Sequence, residues 1–161
     1  MTILRLPAMF TALFLAMPIA RAETGVADPW VRATVPQQKA TGAFMKITSP
    51  VDARLVGVRS PLAGTAEIHE MRMEGDKMKM RAVAALPLPA ATSVELEPGG
   101  WHIMLLDLAA QVKEGDTVPI ALTIETADGK RETLHIDAPA RPLHGGSRQR
   151  PLRSLPEEDG K

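Results

Sequence analysis

The sequence predicts an all-β sandwich, and three observations support this fold class. Between residues 23 and 140, short segments alternate apolar and polar residues, as strands with one buried face do. Residues that favour turns, chiefly Gly, Pro, Asp and Ser, separate these segments. No long window in this part shows the apolar period of a helix, and the 14 prolines of the chain disfavour long helices. We therefore expect about seven to nine strands.

Individual segments show this strand character clearly. The second segment is typical, because Phe44 and Lys46 alternate with Met45 and Ile47. The fourth and fifth segments, and also the last two, are separated by three-residue turn signals that contain Gly and Asp, and each pair predicts a β-hairpin. In chain order, the predicted strands are residues 26–33, 43–48, 54–58, 65–73, 77–83, 93–96, 101–108, 117–126 and 130–136.

Residues 1–22 predict a cleaved secretory signal peptide. Arg5 gives a positively charged start, an apolar run follows, and Ala20-Arg21-Ala22 fits the small-x-small pattern of a cleavage site. The run is short for a membrane span, and no cysteine follows it that could carry a lipid anchor. We therefore expect a mature chain that begins near Glu23, lies in the periplasm and does not stay inserted in the membrane.

The remaining chain divides into one domain, residues 23–140, and a tail. Residues 141–161 contain few apolar residues and many Gly, Pro and Arg residues, so we expect a disordered tail. The tail has no Phe, Trp or Tyr and ends acidic, which favours a solvated segment over a nucleic-acid arm. After signal cleavage, 17 basic and 19 acidic residues remain, and this balance indicates neither nucleic acid nor an anionic membrane as a partner.

Several functional classes find no support in the sequence. It contains no Gly-x-Ser-x-Gly elbow, no phosphate-binding glycine loop and no cysteine, so we expect neither an enzyme nor a blue-copper site. Trp30, Phe44 and Trp101 are expected in the core or at its rim. We expect a monomer.

The candidate functional residues are histidines and methionines. Of the six methionines after residue 22, five lie together with two histidines in the windows 69–80 and 102–104. Each window begins with a His-x-Met triplet, His69-Glu70-Met71 and His102-Ile103-Met104. On a strand this spacing puts both side chains on one face, whereas a helix would separate them by about 200°. A shared site therefore requires strands at both triplets.

The hairpin loop decides which methionines face each other. With an even loop, Met71 opposes Met80 and Met73 opposes Met78 on one face of the hairpin. A three-residue loop instead places Glu70 opposite Met80 and splits the cluster between the two faces. A two-residue loop with Gly first suits a type II′ turn, and we favour it for that reason.

The chemistry of these side chains indicates Cu(I). Thioether sulfur is soft and neutral, and deprotonated imidazole is neutral, so together they suit Cu(I) and bind Mg²⁺ or Ca²⁺ poorly. Zinc would normally recruit a thiolate or a carboxylate beside His. Methionine also fills gaps in cores, but no Val, Ile, Leu or Phe lies between Glu70 and Arg81, where charged residues alternate with methionine. This composition favours ligands over core packing.

The spacing of four of these residues resembles the signature of the periplasmic PCuAC-type copper chaperones. Ten residues separate His69 from Met80, a further 21 precede His102, and Met104 follows two positions later. The matching segments cover nearly the whole mature domain and include residues 28–32, 67–71, 78–81 and 98–105. The resemblance implies a cupredoxin-like Greek-key β-sandwich that binds one Cu(I) through these four side chains. It also implies copper delivery towards the binuclear copper site of cytochrome c oxidase, with a Sco-type copper protein and the copper-bearing oxidase subunit as partners.

Further methionines and histidines lie outside this set of four residues. Met71, Met73 and Met78 are candidates for an outer shell around the copper site. His144 alone is not expected to build a second copper site in the tail, and His135 is expected to be structural or exposed. Two other functions stay open: periplasmic copper storage or tolerance, which predicts several ions per chain, and a metal-free β-sandwich interaction module.

Overall fold

The computed structural model describes residues 23–142. The predicted signal peptide at 1–22 and the predicted tail from residue 143 onward lie outside the described residues. The described part contains ten strands and no helix, which confirms the all-β fold class, and so it has no helix long and apolar enough to cross a membrane. In chain order the strands are β1 (Gly25–Arg32), β2 (Ala40–Thr48), β3 (Ala53–Arg59), β4 (Ala63–Glu74), β5 (Lys77–Val83), β6 (Leu86–Leu88), β7 (Ser93–Leu96), β8 (Trp101–Leu108), β9 (Thr117–Thr126) and β10 (Arg131–Arg141).

The strands form two sheets that share one hydrophobic core. The larger sheet has the order β5-β4-β8-β7-β2-β1, with β8 also pairing with β2, and the smaller has the order β10-β9-β3-β6. A short parallel pairing, Val31 with Ala140, joins the sheets between β1 and β10. Strand alternation turns Ile47 and Ile103 of the larger sheet and Leu122 of the smaller sheet into the core, where all three are fully buried. Each sheet therefore keeps one outer face.

Most strand bounds lie within two residues of the predictions, and the exceptions are β2, which begins three residues earlier, β10 and β6. Strands β5, β7, β8 and β9 have the predicted bounds, but β10 runs five residues further, because Ala138 and Ala140 are buried beside their neighbouring strands. Strand β6 was not predicted, so the ten strands exceed the expected seven to nine by one. Its Leu86 and Leu88 are buried on either side of an exposed Pro87, and three residues are too few to reveal alternation. Because β6 is an edge strand, the proline is tolerated.

A two-residue turn fixes the register of the β4–β5 hairpin. Glu74 and Lys77 are cross-strand partners, so the turn consists of Gly75 and Asp76. Gly75 has a φ of 61° and Asp76 does not have a positive φ, which agrees with a type II′ turn that has Gly first. The favoured register is therefore confirmed, and the methionines of the two strands oppose each other in pairs.

Candidate metal centre

The predicted histidines lie on the outer face of the larger sheet, where β4 and β8 are neighbours. His69 and His102 are direct cross-strand partners. The adjacent Ile68 and Ile103 are buried in the core, so strand alternation turns both imidazoles outward. Even so, His69 is only 9% exposed and His102 only 6% exposed. Neighbouring side chains on the outer face therefore cover both rings.

Met80 reaches this pair of imidazoles from the next strand. It lies on β5 opposite Met71, and its Sδ is 3.1 Å from Nε2 of His102. The ring centroids of His69 and His102 are 5.7 Å apart, with 59° between the ring planes. Met104 follows His102 by two residues on β8, so it lies on the same face, where it is half-buried. The structure thus groups three of the four predicted ligands and places the fourth beside them.

The hydrogen bonds of His102 define its protonation state. Its Nδ1 lies 3.1 Å from the carbonyl oxygen of Gly100, which can only accept, so Nδ1–H donates. Burial lowers the pKa of His102, and the neighbouring basic side chains of His69 and Arg32 lower it further, against the opposing effect of the Gly100 carbonyl. The ring is therefore neutral at neutral pH, and Nε2 presents a lone pair to the sulfur of Met80.

Glu67 fixes His69 through its Nε2 atom, whereas His102 is fixed through Nδ1. Its Oε2 is 2.8 Å from Nε2 of His69, and because a carboxylate accepts, this nitrogen carries the proton. In the neutral ring, Nδ1 of His69 keeps a lone pair, and among residues 23–142 this buried atom has no hydrogen-bond partner. An unsatisfied buried acceptor costs about 1–3 kcal/mol, and a bound cation would satisfy it. The donor set therefore fits a soft metal ion.

Sequence analysis did not single out Glu67, although a signal was present. Glu67 precedes His69 by two residues on the same strand, so both side chains had to share a face. Its cross-strand partner is Met104, which places the carboxylate beside the predicted ligand set. A carboxylate that fixes a ligating histidine is a common arrangement around metals.

Phe44 forms a wall of the site, which the sequence did not reveal. We expected Phe44 in the core or at its rim, but its buried ring lies on the outer face, 6.4 Å from the His102 ring and 4.4 Å from the Trp30 ring between centroids. A Cβ on Gly42 would lie 2.7 Å from Cζ of Phe44, so the glycine makes room for this ring. Phe44 is one reason why His102 is buried on an outer face.

The remaining methionines continue along the hairpin from Met80 to its tip. Met71 is half-buried opposite Met80, whereas Met73 and Met78 oppose each other at the tip and are 58% and 54% exposed. Met80 is 50% exposed, so the site is open on this side. The reverse face of the hairpin is charged and carries the ion pairs Lys79–Glu74 and Arg81–Glu70.

The other two histidines do not join the site. His135 is exposed on β10 in the smaller sheet, as one of the two stated alternatives predicted, and His144 lies outside the described residues. Within residues 23–142, no three His, Cys, Asp or Glu side chains cluster so as to hold a metal ion. A metal site at His69 and His102 would therefore depend on the methionines.

Comparisons with known proteins place the chain in a family. The family model described as "Putative lipoprotein LpqE-like" matches residues 25–139. The "Putative lipoprotein Lxx21020" of Leifsonia xyli subsp. xyli is 29% identical over 123 residues, which cover 76% of this chain and 72% of that protein.

Solved structures agree with this assignment. The solution structure of CuI-DR1885 from Deinococcus radiodurans is 31% identical, with a TM-score of 0.54, and the match covers 73% of this chain and 76% of that one. The copper-bound PCuAC domain from PmoF2 matches with a TM-score of 0.61 over 75% of this chain and 94% of that one, and at 23% identity this likeness supports the fold alone. The predicted cupredoxin-like β-sandwich is thereby confirmed. The chain belongs to the LpqE-like family, which is the family of the PCuAC domains.

Proposed function

We propose that this protein is a periplasmic copper chaperone that binds one Cu(I) ion through His69, Met80, His102 and Met104. The proposal depends above all on the 3.1 Å contact between Nε2 of His102 and the Met80 thioether. Both atoms are lone-pair donors, so they gain little from each other but can bind the same soft cation. The PCuAC family and the CuI form named for the Deinococcus relative support the choice of ion.

The arrangement suits an ion that must also leave. All four side chains are neutral when they bind, so they hold Cu(I) without the charge that a thiolate would add. Hydrogen bonds to Glu67 and to the Gly100 carbonyl fix His69 and His102, whereas Met80 is half exposed and can release first. Transfer then proceeds by exchange of one ligand at a time with an acceptor whose thiolates bind Cu(I) more strongly. The family resemblance suggests a Sco-type protein and the copper-bearing subunit of cytochrome c oxidase as the acceptors.

The location follows from the same relationship. The family and the Leifsonia relative both carry the description "putative lipoprotein", which supports a place in the cell envelope. Residues 1–22 have the features of a secretory signal peptide, so we propose that the protein acts in the periplasm.

Competition titration against a Cu(I) chelator tests this function. We expect Met80→Leu and His102→Gln each to weaken Cu(I) binding by at least about tenfold, the lower end of what outer-sphere partners of metals contribute. Met45→Leu, at a buried core methionine, and His135→Gln, at an exposed histidine of the other sheet, are matched controls and should bind as the wild type does. Wild-type affinity in both site variants would reject the site.

Stoichiometry separates the proposed function from its alternatives. A chaperone of this design binds one ion tightly, storage predicts several ions of similar affinity, and a metal-free interaction module predicts none. The same titration reports all three outcomes.

A further inference from the structure

The tip of the β4–β5 hairpin carries a second pair of thioethers. Met73 and Met78 are direct cross-strand partners on the face that also holds Met71 and Met80. Cβ atoms of opposed residues lie about 4.5–5.5 Å apart, so the two flexible side chains can reach a common ion. The tip pair lies two residues beyond the Met71–Met80 pair, or about 7 Å along the strands.

Packing does not account for this pair. Met73 and Met78 are 58% and 54% exposed, although burying a methionine side chain would contribute about 1.5–3 kcal/mol each. No apolar layer lies behind them either, because the other face of the hairpin is charged and ion-paired. Two exposed thioethers in register, in line with Met80, are instead suited to a soft cation.

We propose that Met73 and Met78 form a second, weaker Cu(I) site at the hairpin tip, an inference that rests on the proposed function because Met80 links the two positions. Two neutral thioethers without imidazoles bind less strongly than the His69–His102 site, so an ion at the tip exchanges quickly. The tip then serves as the place where Cu(I) enters or leaves, and the ion keeps its oxidation state throughout.

Anaerobic NMR titration of the full chain with Cu(I), using methionine labelled with ¹³C in its methyl group, tests the proposal. The first equivalent should shift the methyl signals of Met80 and Met104. The second should shift those of Met73 and Met78 in fast exchange, while Met45, buried in the core, stays unmoved as an internal reference. The double variant Met73→Leu/Met78→Leu lacks the tip methyl groups, so its readouts are Met80, Met104 and the number of Cu(I) ions bound. The response of Met80 and Met104 to the first equivalent should persist, and a chelator titration should find one bound ion where the wild type binds two.

Each other outcome has a defined meaning. If the second equivalent leaves Met73 and Met78 unmoved, for example because it binds His144 in the tail, the tip site is overturned. It is also overturned if the double variant loses affinity for the first equivalent, since the tip would then belong to the primary site. The proposed function fails separately, if the first equivalent leaves Met80 and Met104 unmoved. The double variant should fold normally, because substitutions of exposed side chains usually change stability by less than about 0.5 kcal/mol.

Discussion

The base and the tip of the β4–β5 hairpin present histidine and methionine side chains in opposite settings. At the base, His69 and His102 are nearly buried, and one nitrogen of each ring is held by a hydrogen bond. At the tip, Met73 and Met78 are more than half exposed, and ion pairs, not a core, lie behind them. In the proposed function, the buried imidazoles hold the ion in a preorganised position, and the exposed thioethers let it enter and leave. Substitutions that loosen the base therefore test this comparison directly.

The largest effect is expected from Glu67, which fixes His69. Glu67→Ala removes both the acceptor and the charge at 2.8 Å from Nε2 of His69, so Cu(I) affinity should fall by about 10- to 100-fold. Glu67→Gln should cost less, because its amide oxygen still accepts the hydrogen bond. A chelator competition titration measures both. Glu114→Ala, in an exposed turn away from the site, is the control, and wild-type affinity in Glu67→Ala would show that the base needs no such support.

The next prediction concerns the wall of the site and the stability of the fold. Gly42→Ala places a Cβ 2.7 Å from the buried Phe44 ring, which cannot move freely between Trp30 and His102, so the free energy of unfolding should fall by about 1–3 kcal/mol. Urea denaturation measures the change.

Gly57→Ala is the matched control for this prediction. Its Cβ would meet only the Thr123 side chain at 3.4 Å, an ordinary contact, so its effect on stability should be clearly smaller. Equal stability losses in the two variants would show that Phe44 is free to move, and that the base is less rigid than the contacts around His102 indicate.

The smallest effect is expected on the pH dependence of the free energy of unfolding of the metal-free protein. Burial lowers the pKa of His102 below the value of about 6.5 that it has in an unfolded chain. At pH values between the pKa of His102 in the folded chain and its pKa in the unfolded chain, the unfolded chain binds a proton that the folded chain does not. The free energy of unfolding therefore decreases as the pH falls below about 6.5. His102→Gln should make this decrease shallower, and His135→Gln should not. Urea denaturation at several pH values provides the comparison, and equal slopes in wild type and His102→Gln would contradict it.

Much of the site follows from sequence because it depends on local rules. The i, i+2 spacing of each His-x-Met triplet needs only the strand period, and the Gly75-Asp76 turn sets which methionines oppose each other. Both rules act within one strand or one hairpin. The pairing of His69 with His102, which lie far apart in the chain, was implied by the family resemblance and not by local pattern.

The parts that the sequence did not reveal depend on neighbours across the sheet. Phe44 has the alternation of an outward-facing residue, but its burial results from the space above Gly42 and from the rings of Trp30 and His102. Strand β6 exists because β3 offers it an edge, although its Leu-Pro-Leu sequence carries almost no strand signal. Such features arise from tertiary packing, which overrides local preference.

X-ray absorption at the copper edge of the protein loaded with one equivalent of Cu(I) tests the central claim most directly. A site at the hairpin base predicts monovalent copper with two nitrogen and two sulfur neighbours, and the loss of one sulfur in Met80→Leu. A copper shell made only of nitrogen and oxygen, or a sulfur count unchanged in that variant, would contradict it.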